Sequence, residues 1–134
     1  MILLDTCALI WIVNKDSIAP AALAAAEGAF RRGELFLSPI SAWEIGALVS
    51  RGRLRLGISA ELYVERAFTL PGVQLAALTP DIAVRASSLP GSFHSDPADC
   101  LLVATALAMG LRFMTRDRRI LAYGAAGHLP VVSC

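Results

Sequence analysis

The chain has 134 residues, a formal charge of +1, and 56% hydrophobic against 17% charged residues. That length suits one domain with a single sizeable core, and the near-zero charge gives no bulk argument for a nucleic-acid binder. The apolar surplus over ordinary soluble composition points either to a compact, Ala-rich helical core or to surface covered by a second copy or a partner.

The first element in chain order is a strand over 2–5, followed by a helix over 6–13. Nothing in the opening Met1-Ile-Leu-Leu-Asp5 reads as a secretory leader, since it lacks a basic region and a cleavage signal. An Ala-rich helix is expected over 20–32, closed by Gly33, then a short buried strand over 35–38. Pro39 sits just inside the next helix, 39–51, where its missing N–H does no harm. A turn at Gly52 and Gly57 leads to a helix over 59–69, which Pro71-Gly72 ends. A third strand over 73–78 is followed by a helix that Thr79-Pro80-Asp81 opens and that runs to about residue 89.

Asp96-Pro97 begins the most apolar helix, 98–109, stopped by Gly110. Because it is apolar nearly all round, it is expected to lie between the sheet and a partner. A strand over 111–115, a short helix over 118–123 and a last edge strand over 129–132 complete the chain. Strands alternating with helices give an α/β fold, a single domain spanning 1–134 with a mostly parallel sheet covered on both faces. The apolar stretch 100–111 is bounded by Asp99 and Arg112 and is far shorter than the roughly 20 residues of a membrane span. Cys7, Cys100 and Cys134 have neither disulfide-framework nor zinc-site spacing, so a reducing cytoplasm is the expected location.

Four acids stand where apolar runs hand over to helices: Asp5, Glu44, Asp99 and Asp117. The carboxyl ends of parallel strands face one crevice, so these acids are expected to converge. An uncompensated acidic cluster is costly unless a hard cation occupies it. An all-carboxylate, histidine-free set points to magnesium or manganese rather than zinc, and such sites hydrolyse phosphodiesters. The competing reading is local, because Asp, Ser and Thr at helix starts cap free N–H groups. Asp5 and Asp117 read as caps of the helices that follow them, Ser41-Ala-Trp-Glu44 fits a capping box, and Asp96 caps the helix that contains Asp99.

His94 lies two residues before Asp96 in a Gly/Ser/Pro-bounded loop, placed either to orient that carboxylate or simply at the surface. Neither a G-x-S-x-G nucleophile turn nor a glycine-rich phosphate loop occurs. Arginine supplies 11 of the 12 basic residues, and its planar fork suits phosphate. Arg51, Arg53, Arg55, Arg112, Arg116 and Arg119 are the candidates for phosphate contact.

Five segments together resemble a PIN domain of the kind found in VapC-type toxins of bacterial toxin–antitoxin pairs. They are Ile2-Leu-Leu-Asp5-Thr6, Ser41-Ala-Trp-Glu44-Ile45, the Arg51-Gly-Arg-Leu-Arg-Leu turn, His94-Ser-Asp96-Pro-Ala-Asp99 with the helix after it, and Thr115-Arg-Asp117. The resemblance runs the length of the chain and implies a three-layer α/β/α sandwich. It also implies a magnesium-dependent endoribonuclease (manganese a possible substitute), active on RNA, homodimeric and neutralised by a cognate antitoxin. Asp5 and Asp99 would then be the firmest metal ligands. Asp117 and Glu44 would bind a second metal, or hold and deprotonate the attacking water. Thr6 and Thr115 would orient neighbouring carboxylates, and Asp96 would cap its helix and support the pocket. One position departs from the pattern: many relatives carry Arg directly after the second Asp of D-P-x-D, where this chain has Cys100, and Arg116 is the candidate to replace it. Two other readings of the same residues are a non-catalytic PIN-like module that binds RNA or a partner, and a phosphotransferase with Asp5 as nucleophile.

Overall fold

The computed structural model describes residues 1–134. Its elements run β1 (Ile2–Leu4), α1 (Thr6–Asn14), α2 (Pro20–Arg31), β2 (Leu35–Leu37), α3 (Pro39–Ser50), α4 (Ala60–Phe68), β3 (Val73–Leu75) and α5 (Pro80–Arg85) with a 3-10 turn at Ala86–Ser88. Then follow α6 (Pro97–Met109), β4 (Arg112–Thr115), α7 (Arg118–Ala125) and β5 (Val131–Ser133). The strands form one sheet in the order β3-β2-β1-β4-β5, with every neighbouring pair parallel.

The strands are short and apolar because both faces of the sheet are buried, as parallel sheets require. Side chains alternate between the two faces. Ile2, Leu4, Leu35, Leu37 and Met114 join a core with α1, α2 and α4. Leu3, Phe36 and Phe113 point the other way and pack on α6 and α7. The result is the expected α/β/α sandwich.

Three expectations need correction. The third strand ends at Leu75, not residue 78; Leu75 is 57% exposed on the sheet edge, and the chain leaves after Ala76 N–H donates to Leu37 O. The last strand starts at Val131, because Leu129 turns into the core and Pro130 has no N–H to give the ladder, offering only its carbonyl to Phe113. Helix α6 is apolar all round for a reason within the chain. One side faces the sheet, and Ile82 and Ala86 from α5 and the 3-10 turn cover Ala104 on the other. No helix is long and apolar enough to cross a membrane.

Phe113 is fully buried in the central part of the sheet, so Phe113→Ala should lower unfolding free energy by about 3–5 kcal/mol in urea titrations. Leu75→Ala, on the exposed edge, should change it by no more than about 0.5 kcal/mol. Equal effects at the two positions would contradict this packing.

Candidate active site

β1 and β4 are adjacent and in register, Leu4 opposite Met114, so both strands end at the same edge of the sheet. Asp5 follows β1 directly, its N–H donating to Met114 O, and Asp117 follows β4 by two residues. α3, entered from β2, carries Glu44 on its second turn, and the first turn of α6 carries Asp99. All four acids line one cleft of about 280 Å³ together with Thr6, Cys7, Trp11, Leu102 and Arg116.

Two of the four, Asp5 and Asp117, do cap helices, as does Asp96 beside them. Asp5 Oδ1 accepts from Ala8 N–H at 2.7 Å. Asp96 Oδ1 accepts from Asp99 N–H at 3.0 Å, and Asp117 Oδ1 accepts from Arg119 and Ile120 N–H groups. The capping box at Ser41 does not form: Ser38 is the cap of α3, and Ser41 is buried 3.0 Å from the Thr6 hydroxyl. Glu44 and Asp99 cap nothing. Glu44 Oε1 instead accepts from the Thr6 hydroxyl. The Thr115 hydroxyl donates to Asp5 Oδ2 and accepts the Asp117 N–H, so one threonine ties the two strand-end acids together.

Burial is the main reason these carboxyls hold protons more tightly than usual. It raises Asp99 to about 7, with the charges of Asp96, Asp117 and Glu44 adding to the rise and Arg119 opposing it. Asp5 is raised by burial and by Asp117, against the pull of its Thr115 and Ala8 hydrogen bonds. Glu44 is raised by burial, then by Asp96 and Asp5. The Cys7 thiol, in the same cleft, is pushed up to about 11 by burial and the acids around it. The cleft therefore holds more negative charge than its walls offset, and a cation or a proton relieves it.

The donor set fits a hard divalent cation. The carboxylates share the cleft without closing into a ready three-ligand cage. Magnesium tolerates this, because it keeps much of its water and takes one or two carboxylates. Zinc, with its need for a closed nitrogen or sulfur set, fits poorly.

The arginines separate by position. Arg112 opens β4 and so lies at the opposite edge of the sheet, which removes it from the candidates for contact at this cleft. Arg116 lines the cleft but is tethered, donating to Cys134 O and Ser17 O and lying 4.1 Å above the Trp11 ring. Arg51 caps the end of α3, and Arg53 follows in the exposed turn. The arginine beside the acids is Arg119, 3.8 Å from Asp99 Oδ2 and 3.7 Å from Asp117 Oδ2. Its position two residues after a strand-end acid was the available signal. Cys7 was overlooked as a cleft residue, although it sits two positions after Asp5. His94 is not at the surface but part-buried: it takes the Asp96 backbone N–H rather than the carboxylate, and faces Asp99.

A fold with this sheet order, and four acids gathered at the carboxyl edge, defines a class, and comparison supplies its name. The PIN domain model matches residues 2–126, and the chain belongs to the PIN domain family. It is 35% identical over 120 residues to Ribonuclease VapC22 of Mycobacterium tuberculosis, covering 89% of this chain and 88% of that protein. Among solved structures, VapBC2 from Rickettsia felis bound to a promoter DNA fragment gives a TM-score of 0.71 at 15% identity, covering 99% of this chain and 98% of that one. A toxin–antitoxin complex from Klebsiella pneumoniae gives 0.64 at 22% identity, covering 98% and 96%. At such identities the likeness is one of fold.

The raised Asp99 carries a pH dependence. Its unfolded value is 3.8 and its folded value about 7, so between them the folded state binds more protons. Stability therefore falls as pH rises across that window and levels off above it. In chelator, Asp99→Asn should flatten the melting-temperature profile from about pH 4 to about pH 8 and melt a few degrees higher than the wild type at the alkaline end. Parallel profiles from thermal scans would refute the buried-charge description.

Proposed function

We propose that the chain is a magnesium-dependent endoribonuclease, the toxin of a toxin–antitoxin pair, with manganese as a substitute metal. The observation that carries this reading is the placement of Glu44 and Asp99. Helix capping accounts for Asp5, Asp96 and Asp117, but neither Glu44 nor Asp99 caps anything, and both line the cleft with the other two. Two part-buried carboxylates kept at an energetic cost and without a structural task point to a bound cation. The relationship to a protein named as a ribonuclease supports the substrate class.

A bound magnesium ion supplies charge stabilisation for the leaving oxygen and acidifies the attacking water. Asp5 and Asp99 would hold it, with Asp117 alongside. Asp5 is fixed for this by the Ala8 N–H on one oxygen and the Thr115 hydroxyl on the other. Glu44 is held by Thr6 through Oε1, and Oε2 is the atom that would take the proton of the attacking water. Burial raises its pKa above the ordinary glutamate value, which favours taking up a proton. Arg119 at the cleft rim, with Arg51 and Arg53 beyond the end of α3, would contact the RNA backbone; such contacts position the strand without specifying its sequence.

The apolar surplus has two proposed covers. An antitoxin segment would fill the apolar groove of about 300 Å³ lined by Leu9, Ile12 and Val13 of α1, Leu23 and Phe30 of α2, and Leu70. A second copy of the chain would cover outward-facing Val84, which is 69% exposed.

Purified, antitoxin-free protein should cleave a structured RNA pool in magnesium and not in chelator. Asp99→Asn should lose more than about a hundredfold in rate while remaining folded, since even losing an outer-shell partner costs 10–100-fold. A folded wild type that binds RNA but never cleaves it would replace this reading with the non-catalytic module.

A further inference from the structure

The segment that joins the 3-10 turn to α6 is pinned at several points. Tyr123 of α7 donates its hydroxyl to Pro90 O at 2.6 Å. Its ring stacks on His128 at 4.7 Å and meets Phe93 edge-on at 4.8 Å, and Phe93 lies 4.3 Å from the His94 ring. Gly91 has a positive φ of 69°, and a Cβ there would come within 2.5 Å of His128 Nε2, so only glycine lets the segment close on this ladder. The Cys100 thiol adds a contact to His94 O at 3.2 Å. An imidazole held this firmly has a defined orientation.

That orientation also fixes its proton. His94 Nδ1 accepts the Asp96 N–H at 3.2 Å, so the neutral ring carries its proton on Nε2. Nε2 is buried and makes no aligned hydrogen bond; its polar neighbour is Asp99 Oδ2 at 3.2 Å. A buried donor left off-line is costly, and Asp99 Oδ2, at 3.2 Å, is the acceptor within reach of it. Catalytic hydrogen bonds often tighten only when the site is loaded.

We propose that His94 is a positioning residue: its Nε2–H holds Asp99 Oδ2, so that Asp99 offers its other oxygen, Oδ1, to the divalent cation. This inference rests on the metal-dependent reading above. Arg119, 3.8 Å from the same Oδ2, reinforces the choice of oxygen from the solvent side. Hydrogen bonds from outside the ligand set orient ligating carboxylates, and their loss typically costs 10–100-fold in metal affinity or activity.

Two variants isolate the donor. His94→Asn keeps an acceptor where Nδ1 meets the Asp96 N–H but cannot reach Asp99. His94→Gln places an amide N–H near the position of Nε2. Manganese binding is measured by calorimetry on the full chain, beside kcat and KM for RNA cleavage. His94→Asn should bind manganese about 10–100-fold more weakly and lose kcat with KM for RNA unchanged, while His94→Gln stays close to wild type in both. If both variants fall equally, or if His94→Asn binds and cleaves as wild type does, the proposal is overturned. A wild type that neither binds manganese nor cleaves RNA would instead sink the metal-nuclease reading itself.

Discussion

Everything at the acidic cleft depends on β1 and β4 running parallel, side by side and in register. Because Leu4 lies opposite Met114, the first acid after each strand, Asp5 and Asp117, emerges at the same edge of the sheet. The Thr115 hydroxyl then binds Asp5 while receiving the Asp117 N–H. This short bridge spans the two ends of the chain, and it exists only when the sheet is complete. Slipping the register by one residue would turn every strand side chain to the opposite face and pull the two acids apart. Packing and chemistry are therefore set by the same pairing.

The acids at this edge serve two tasks at once. Asp5 and Asp117 satisfy free N–H groups at the starts of α1 and α7, and that gain offsets part of the cost of burying charge. Glu44 and Asp99 gain no such offset. Burial and mutual repulsion leave Asp99 holding its proton to about pH 7. Strain of this kind is characteristic of functional sites, where perturbed carboxyls cluster. Arg119 relieves it only weakly, since it is well exposed and 3.7–3.8 Å from its partners.

Much of this was legible in the sequence. Apolar runs of three or four residues followed by an acid or a proline locate β1, β2 and β4 within a residue, because both faces of a parallel strand are buried and period is no guide. Asp5, Glu44 and Asp117 were recoverable from the same junctions, and Asp99 from the helix start at Asp96-Pro97. Strand limits failed at β3 and β5, the two sheet edges, where fewer neighbours constrain the chain and Pro130 interrupts the ladder. The covering of α6 by α5 could not be read, since an all-round apolar helix looks the same whether its partner is in the same chain or another. Neither sequence reading of His94, toward Asp96 or at the surface, matches its place in the fold. Sequence proximity suggested Asp96, whereas the turn into α6 sends Nε2 toward Asp99, five residues on. Arg112 and Arg119 looked alike as candidates for RNA contact, and only the direction of β4 places one far from the cleft and the other at its rim.

The most direct test of a cation site at the carboxyl edge is an anomalous-difference map from crystals grown with manganese. A peak in the cleft within coordination distance of Asp5 and Asp99, lost on exchange into chelator, is the expected result. A well-ordered cleft without a peak, or manganese bound only elsewhere on the molecule, would contradict the central claim.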